Sequence, residues 1–282
     1  MQCLSLVDDS SVKNGTTEMV CEYEKLVERL KVSVEETITP GHFKRAVAKA
    51  DTRFNNNEPQ DAHELLVAVL LELRKRPTSD GALEQKSLGR VLLTMSCAAC
   101  SFVSVAEEEE SSCLSLQLKV QQNQSLVECL EKAFMEEEIP LDQKWRCSKC
   151  CQVRRGIKQQ TMVMCPGLLI LHLVRFSFKE GQVHKNESQV GVPETVVVAC
   201  QKFRLVALVK HKGSRHSGHY TAEIRFMGGW LLCNDSQISK VRKPSMEWSP
   251  DAYLLFYEAV PASDLSVSDT PIKGGPTTSL DE

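Results

Sequence analysis

Two paired-thiol segments, Cys97-Ala98-Ala99-Cys100 and Cys147-Ser148-Lys149-Cys150, constrain this chain more than any other feature. A two-residue spacer lets both sulfurs of a pair turn toward one ion at about 2.3 Å, and two such pairs close a tetrahedron. A closed tetrahedron leaves no position for water or substrate, so the metal expected at Cys97, Cys100, Cys147 and Cys150 is a structural Zn2+ that ties distant loops together. The plain alternative is four unligated thiols. Cys151 adjoins the second pair and is a competing ligand. The long segment between the pairs exceeds that of a compact zinc ribbon, so the ion is expected to crosslink the ends of an inserted hairpin region.

Twelve cysteines are read differently inside and outside a reducing compartment, and the start of the chain decides which reading applies. Met1-Gln2-Cys3-Leu4-Ser5-Leu6-Val7-Asp8-Asp9 has neither a basic leader nor a long apolar run, so the expected compartment is cytoplasmic or nuclear and disulfides are not expected. The longest apolar runs, Leu65 to Leu71 and Leu168 to Leu171, are core-sized and far short of the roughly 18 residues of a membrane span. With 34 basic and 37 acidic residues the net charge is -3, so no global field draws the chain to nucleic acid or anionic lipid. Apolar types at 42% and 282 residues allow one large or two small domains with a substantial core.

The hydrophobic period changes once along the chain. Tyr23, Leu26, Val27 and Leu30 recur at helical spacing, and a second helical pattern runs from Pro59 to Arg76 with Pro59 at its first position. From about Leu92 the runs shorten and alternate, as in Leu114-Ser115-Leu116-Gln117-Leu118. A short helix follows from Ser125, its cap, to Met135. Further strands are predicted at Leu168 to Phe178, Val196 to Val198, Phe203 to Lys210, Tyr220 to Phe226, Trp230 to Cys233 and Ala252 to Tyr257. Helices followed by an antiparallel sheet make the class α+β. The stretch from Pro261 to Glu282 is poor in large apolar residues and reads as a disordered tail.

Gly213-Ser214-Arg215-His216-Ser217-Gly218-His219-Tyr220 is a small-residue loop leading into a strand, and Cys233-Asn234-Asp235-Ser236 closes a later one. An antiparallel return brings Asn234 beside His219, a base and its orienting partner, the last two members of a Cys-His-Asn/Asp arrangement. On spacing alone a loop histidine near an Asn-Asp turn is more often solvated. His63 and His172 sit in apolar patterns and are read as packed, His211 and His216 flank the loop, and Met162, Met164 and Cys165 are read as core filler. Glu107 to Glu110 is read as a solvated charge run, and Lys210, Lys212 and Arg215 as a cluster too small to bind nucleic acid.

In sequence order these segments resemble the ubiquitin-specific protease family of cysteine deubiquitinases. Gln60-Asp61-Ala62-His63-Glu64-Leu65-Leu66 is similar to its Gln-Gln-Asp-Ala-x-Glu-Phe-Leu helix, and the cysteine pairs stand where its zinc-binding fingers stand. Pro166 to Phe176 resembles its Pro-x-x-L-x-x-x-L-x-R-F strand, and Phe203 to Gly213, Gly218 to Ala222, Trp230 to Ser236 and Ala252 to Tyr257 resemble its histidine region. The resemblance implies a papain-like fold over residues 1–258: a helical thumb over 1–90, zinc-ribbon fingers over 91–165 and an antiparallel β palm over 166–258, with 259–282 as tail.

It also implies hydrolysis of isopeptide bonds at the C-terminal glycine of ubiquitin by a monomeric enzyme whose partners are ubiquitin and ubiquitinated proteins. His219 takes the role of general base, Asn234 orients it and Asp235 supports them. Gln60, Asp61, Gly218 and Tyr220 take the ubiquitin tail, with Pro59 replacing the first glutamine of the family's box. The family's Gly-x-x-Asn-x-Gly-x-Thr-Cys segment has no counterpart: Met1-Gln2-Cys3-Leu4-Ser5 resembles the end of the helix that follows it. The nucleophile is therefore expected before Met1, Cys3 is read as a packed helix residue, and the chain by itself is expected to be inactive, whether as a fragment of a working enzyme or as a ubiquitin-binding pseudo-enzyme. A zinc-dependent interaction module without hydrolase ancestry is the rival from another class.

Overall fold

A computed structural model describes residues 15–32, 38–56, 58–75, 86–105, 116–121, 124–143, 145–215, 217–241 and 248–261. The helix-end segment Met1 to Ser5, the Glu107 to Glu110 run, His216 and the tail beyond 261 lie outside them. The chain divides into two compact units, Met1–Gln85 and Lys86–Glu282.

The first unit is helical: α1 (Gly15–Val32), α2 (Gly41–Ala50), a 3-10 turn (Thr52–Phe54) and α3 (Ala62–Lys75). Met19, Val20, Ala46, Val47 and Leu73 form its core, with Tyr23 and Phe43 packed against it. The apolar face of α1 thus lies one turn earlier than Leu30, which is exposed. The second pattern begins later than Pro59. Asp61 Oδ1 accepts from the backbone N–H groups of His63 at 2.7 Å and Glu64 at 3.1 Å, so a side-chain cap outcompetes the proline and α3 starts at Ala62.

The second unit holds the strands β1 (Arg90–Cys97), β2 (Val103–Val105), β3 (Leu116–Lys119), β4 (Gln124–Ser125), β5 (Glu137–Ile139), β6 (Gly156–Met164), β7 (Leu168–Val174), β8 (Phe176–Lys179), β9 (Gln182–Lys185), β10 (Val190–Gly191), β11 (Thr195–Val198), β12 (Gln201–Gly213), β13 (Gly218–Phe226), β14 (Gly229–Asn234), β15 (Gln237–Val241) and β16 (Ala252–Ala259), with α4 (Leu126–Phe134) between β4 and β5. One antiparallel sheet runs β2-β1-β6-β5, and an eight-stranded sheet runs β15-β14-β13-β12-β16-β7-β3 with β11 alongside β12. The large sheet is antiparallel except where β3 lies parallel to β7. Within 91–165 the chain therefore serves both sheets, because fully buried Leu118 on β3 packs into the large core together with Leu126 and Leu130 of α4.

The run predicted as one strand from Leu168 to Phe178 is two strands, parted at Arg175. That guanidinium is 1% exposed and donates to four backbone carbonyls: Ala252 at 2.5 Å, Asn186 and Ser188 at 2.9 Å each, and Ser249 at 3.0 Å. Burial pulls its pKa down to about 10, and the carbonyls keep the buried charge solvated by protein. One side chain thus fixes the loop after β9 and the entry to β16.

Candidate active site and candidate metal centre

The loop between β12 and β13 closes on the pair Gly213 and Gly218. Gly213 has φ +100°, a conformation that only glycine adopts without strain. At Gly218 the constraint is space: a Cβ there would lie 2.1 Å from Nε2 of His211 and 2.7 Å from the carbonyl oxygen of Ser214. His211 is buried under this loop, with its ring centroid 4.6 Å from Tyr220 and 5.3 Å from Phe176. Its backbone is held too: its N–H donates to Asp251 at 2.8 Å and its carbonyl accepts from Lys185 Nζ at 2.8 Å. Tyr220 is half-buried beside it, 5.9 Å from Tyr253 between centroids.

His219 follows Gly218 and stays open, its side chain 51% exposed. Asn234 ends β14 and pairs with Gln237 across a two-residue turn in which Asp235 takes φ 52°. Left-handed backbone suits aspartate better than most residues, so the Asn-Asp-Ser sequence both reverses the chain and presents its first side chain. The return brings Asn234 Oδ1 to 2.6 Å from His219 Nε2, with Asp235 Oδ2 at 4.0 Å. An amide oxygen only accepts, so Nε2 carries the hydrogen, and in the neutral ring Nδ1 keeps its lone pair. Among the described residues the polar partners of His219 are Asn234 and Asp235, and neither is a thiol.

Gln60 and Asp61 belong to the helical unit. Gln60 Nε2 donates to Asn56 Oδ1 at 2.9 Å, and Asp61 caps α3. His63 is half-buried, and His172 is buried on β7 with its ring edge-on to Tyr253 at 4.9 Å. Lys210 is drawn into an ion pair with Glu223 on the neighbouring strand, both side chains largely buried. Sequence spacing missed that pair, since only the β12–β13 register brings the two together; it also missed the packing of His211 under Gly218.

In the second sequence constellation the Sγ atoms of Cys97, Cys100, Cys147 and Cys150 all lie within 4.8 Å of one another, and those of Cys100 and Cys147 are 3.8 Å apart. A sulfur tetrahedron about an ion at about 2.3 Å has edges of about 3.8 Å, so the four thiols fit one metal ion. The two knuckles share a backbone pattern. Cys97 N–H donates to the Phe102 carbonyl and Ser101 N–H to Cys97; Cys147 N–H donates to Gln152 and Cys151 N–H to Cys147. Ser101 and Cys151, the residues after each pair, both have φ 54°. That turn sends Cys151 outward, where its thiol donates to the Ser148 carbonyl at 3.4 Å, so it is not a fifth ligand. Burial opposes ionisation of Cys97, but the N–H groups of Ala99 and Cys100 and the thiols of Cys147 and Cys100 pull its pKa down to about 7. Cys150 hydrogen-bonds to Cys100, is desolvated and is pushed up to about 12.

A sheet-borne histidine with an amide on its Nε2, and a four-thiol knuckle pair closing a separate sheet, define an α+β chain of the cysteine-peptidase type with a zinc-ribbon insertion. The family model described as ubiquitin carboxyl-terminal hydrolase matches residues 2–257, and the chain belongs to that family. Rattus norvegicus "Ubiquitin carboxyl-terminal hydrolase 21" is 31% identical over 204 residues, covering 68% of this chain and 36% of that protein. Homo sapiens "Ubiquitin carboxyl-terminal hydrolase 2" is 26% identical over 303 residues, covering 92% of this chain and 50% of that one. The chain thus spans half or less of the length of these relatives. The fold matches a chain of the SAGA DUB module Ubp8/Sgf11/Sus1/Sgf73 bound to monoubiquitin, with TM-score 0.71 and 22% identity over 89% of this chain and 60% of that chain.

Proposed function

We propose that this chain is the base-bearing and metal-bearing part of a thiol-dependent deubiquitinase that cleaves isopeptide bonds at the C-terminal glycine of ubiquitin. The observation that carries the proposal is the 2.6 Å contact between His219 Nε2 and Asn234 Oδ1, which orients Nδ1 as a free base beside an open loop. His219 would take the proton from the nucleophilic thiol and return it to the departing lysine amine, while Asn234 holds the ring and Asp235 steadies the imidazolium. The thiolate attacks the glycine carbonyl to give a thioester, and water activated by the same imidazole releases ubiquitin. Tyr220 and Gly218 would line the path of the Gly-Gly tail, and Gln60 and Asp61 of the helical unit are separately proposed as ubiquitin contacts. A Zn2+ at the four thiols would be structural, because every coordination position is filled by sulfur.

We take the nucleophile to be none of this chain's own thiols; among the described residues no thiol is a polar partner of His219. The chain by itself is then expected to bind ubiquitin weakly and to form no adduct with ubiquitin carrying a C-terminal electrophile. Fusing a Gly-x-x-Asn-x-Gly-x-Thr-Cys segment before Met1 is expected to create adduct formation and hydrolysis, and His219→Ala in that fusion to lower the turnover by about a thousandfold or more. Adduct formation by the unfused chain, or a His219→Ala fusion as active as its parent, sinks the assignment.

A further inference from the structure

Between Asp142 and Glu180 the sequence contains no acidic residue, although the whole chain carries a net charge of -3. The cations of this stretch concentrate on the second cysteine knuckle, a hairpin closed by the bridge between Arg146 and Val153 and by the bond from Arg154 N–H to the Trp145 carbonyl at 3.1 Å. One is paired within the sheet, Arg155 facing Glu138 at 3.6 Å, and Lys158 lies across from Glu137 in the β5–β6 register while Glu137 itself pairs with Lys119 at 3.9 Å. The remainder have no acidic partner among the described residues. Arg146 is exposed and donates from Nη1 to the Cys151 carbonyl at 2.6 Å; Lys149 is exposed at the knuckle's tip; Arg154 donates from Nη2 to Gln152, and its buried Nε has no partner among the described residues. The first knuckle, with Ala98, Ala99 and Ser101 on its surface, carries no charge.

We propose that this knuckle is a docking surface for a short acidic polypeptide segment of a partner protein, gripped by Arg146, Lys149 and Arg154. The exposed cations offer charge that an acidic segment can meet, and the neutral hydrogen bonds of Arg146 and Arg154 preorganise both guanidiniums without spending their charge. Val153, 39% exposed and opposite Arg146, adds apolar contact beside the cations. Nucleic acid fits less well. It calls for a long cationic stripe or an aromatic platform, and the hairpin's aromatic ring, Trp145, is packed against Gly156, where a Cβ would meet it at 2.9 Å. The chain's net negative charge also repels a long polyanion more than a short segment.

The test is fluorescence anisotropy of the full zinc-loaded chain with two probes, a labelled peptide of alternating Asp and Glu around a central Leu, and a labelled DNA duplex. The expected result is peptide binding at low ionic strength that weakens as salt rises, with Lys149→Glu weakening it several-fold and Arg146→Glu/Lys149→Glu about tenfold, while Lys240→Glu on β15 binds as the parent does. Bound zinc per chain reports that each variant keeps its knuckle, and the single Lys149→Glu change leaves the Arg146 bond in place. No peptide binding at low salt overturns the proposal. So does DNA binding tighter than peptide binding and lost in the same variants, and so does a loss in Lys240→Glu equal to that in Lys149→Glu. No readout depends on hydrolysis, so the proposal stands or falls apart from the catalytic one.

Discussion

At Gly218 the missing side chain matters more than any side chain nearby. The imidazole of His211 occupies the volume a Cβ would need, and the carbonyl of Ser214 closes the other side. Gly218→Ala must therefore displace a buried ring or the backbone that carries His219. The expected cost is about 1 to 3 kcal/mol of stability, the usual range for overpacking. Because the clash is shared with a side chain, Gly218→Ala and His211→Ala are not independent, and the double variant should be more stable than the sum of the two single losses predicts. Urea unfolding of the four proteins measures this, and strictly additive losses would show that the ring is not what excludes the methyl group. At this site spacing alone favoured a solvated loop histidine and a plain Asn-Asp turn; the family resemblance is what singled out His219 and Asn234 together, the two side chains that the 2.6 Å contact joins. His211 as its buttress was not legible, since a histidine inside an alternating strand says nothing of what lies above its ring.

Elements were legible where a local rule decided them and lost where tertiary contacts did. The cap of α4 was read correctly: Ser125 Oγ accepts from Glu128 N–H at 3.2 Å, and Glu128 Oε2 accepts from Ser125 N–H at 2.7 Å, a reciprocal pair that satisfies two otherwise orphan donors. Ser125→Ala removes one of these and is expected to cost about 1 kcal/mol, while Ser125→Asp, which keeps an acceptor, should cost far less. Thermal unfolding of the two variants distinguishes them; equal losses would mean that the helix start is held by the packing of Leu126 alone. The start of α3 was misread by the same kind of rule, because Pro59 and Asp61 both suit a helix start and only one position can be the cap. β6 was missed because Gly156 to Met164 mixes polar and apolar residues without clean alternation, and β15 because its residues are almost all exposed. The break at Arg175 came from outside the strand, from carbonyls of two other segments that draw the guanidinium inward.

At the scale of the whole molecule the thiol cluster ties Cys97 and Cys100 to Cys147 and Cys150. Cys97 ends β1, Cys147 and Cys150 precede β6, and β1 and β6 are paired from Arg90 with Met164 to Cys97 with Gly156, so an ion at the knuckles clamps the end of the small sheet. Remove the ion and four closely spaced sulfurs share too little charge stabilisation for all to stay ionised, which is why Cys97 and Cys150 move in opposite directions. The sign of the pH effect follows. In the metal-free chain the Cys97 thiolate's contribution to stability is complete above its unperturbed value of 9.0 and is lost as pH falls through about 7. Protons and metal compete for the same sulfurs, so affinity for the ion also drops as the solution is acidified. Purified chain is expected to hold one zinc. Chelation at neutral pH should strip amide-exchange protection from β1, β2 and the knuckles first, while β12, β13 and β16 retain it, because their core of Leu205, Leu208, Leu255 and Tyr257 has no share in the metal. Metal release should become easier, with less chelator needed, at pH 6 than at pH 8. Loss of protection in both sheets together would mean that the ion supports the entire second unit, and release that is harder in acid would exclude thiolates as the ligands.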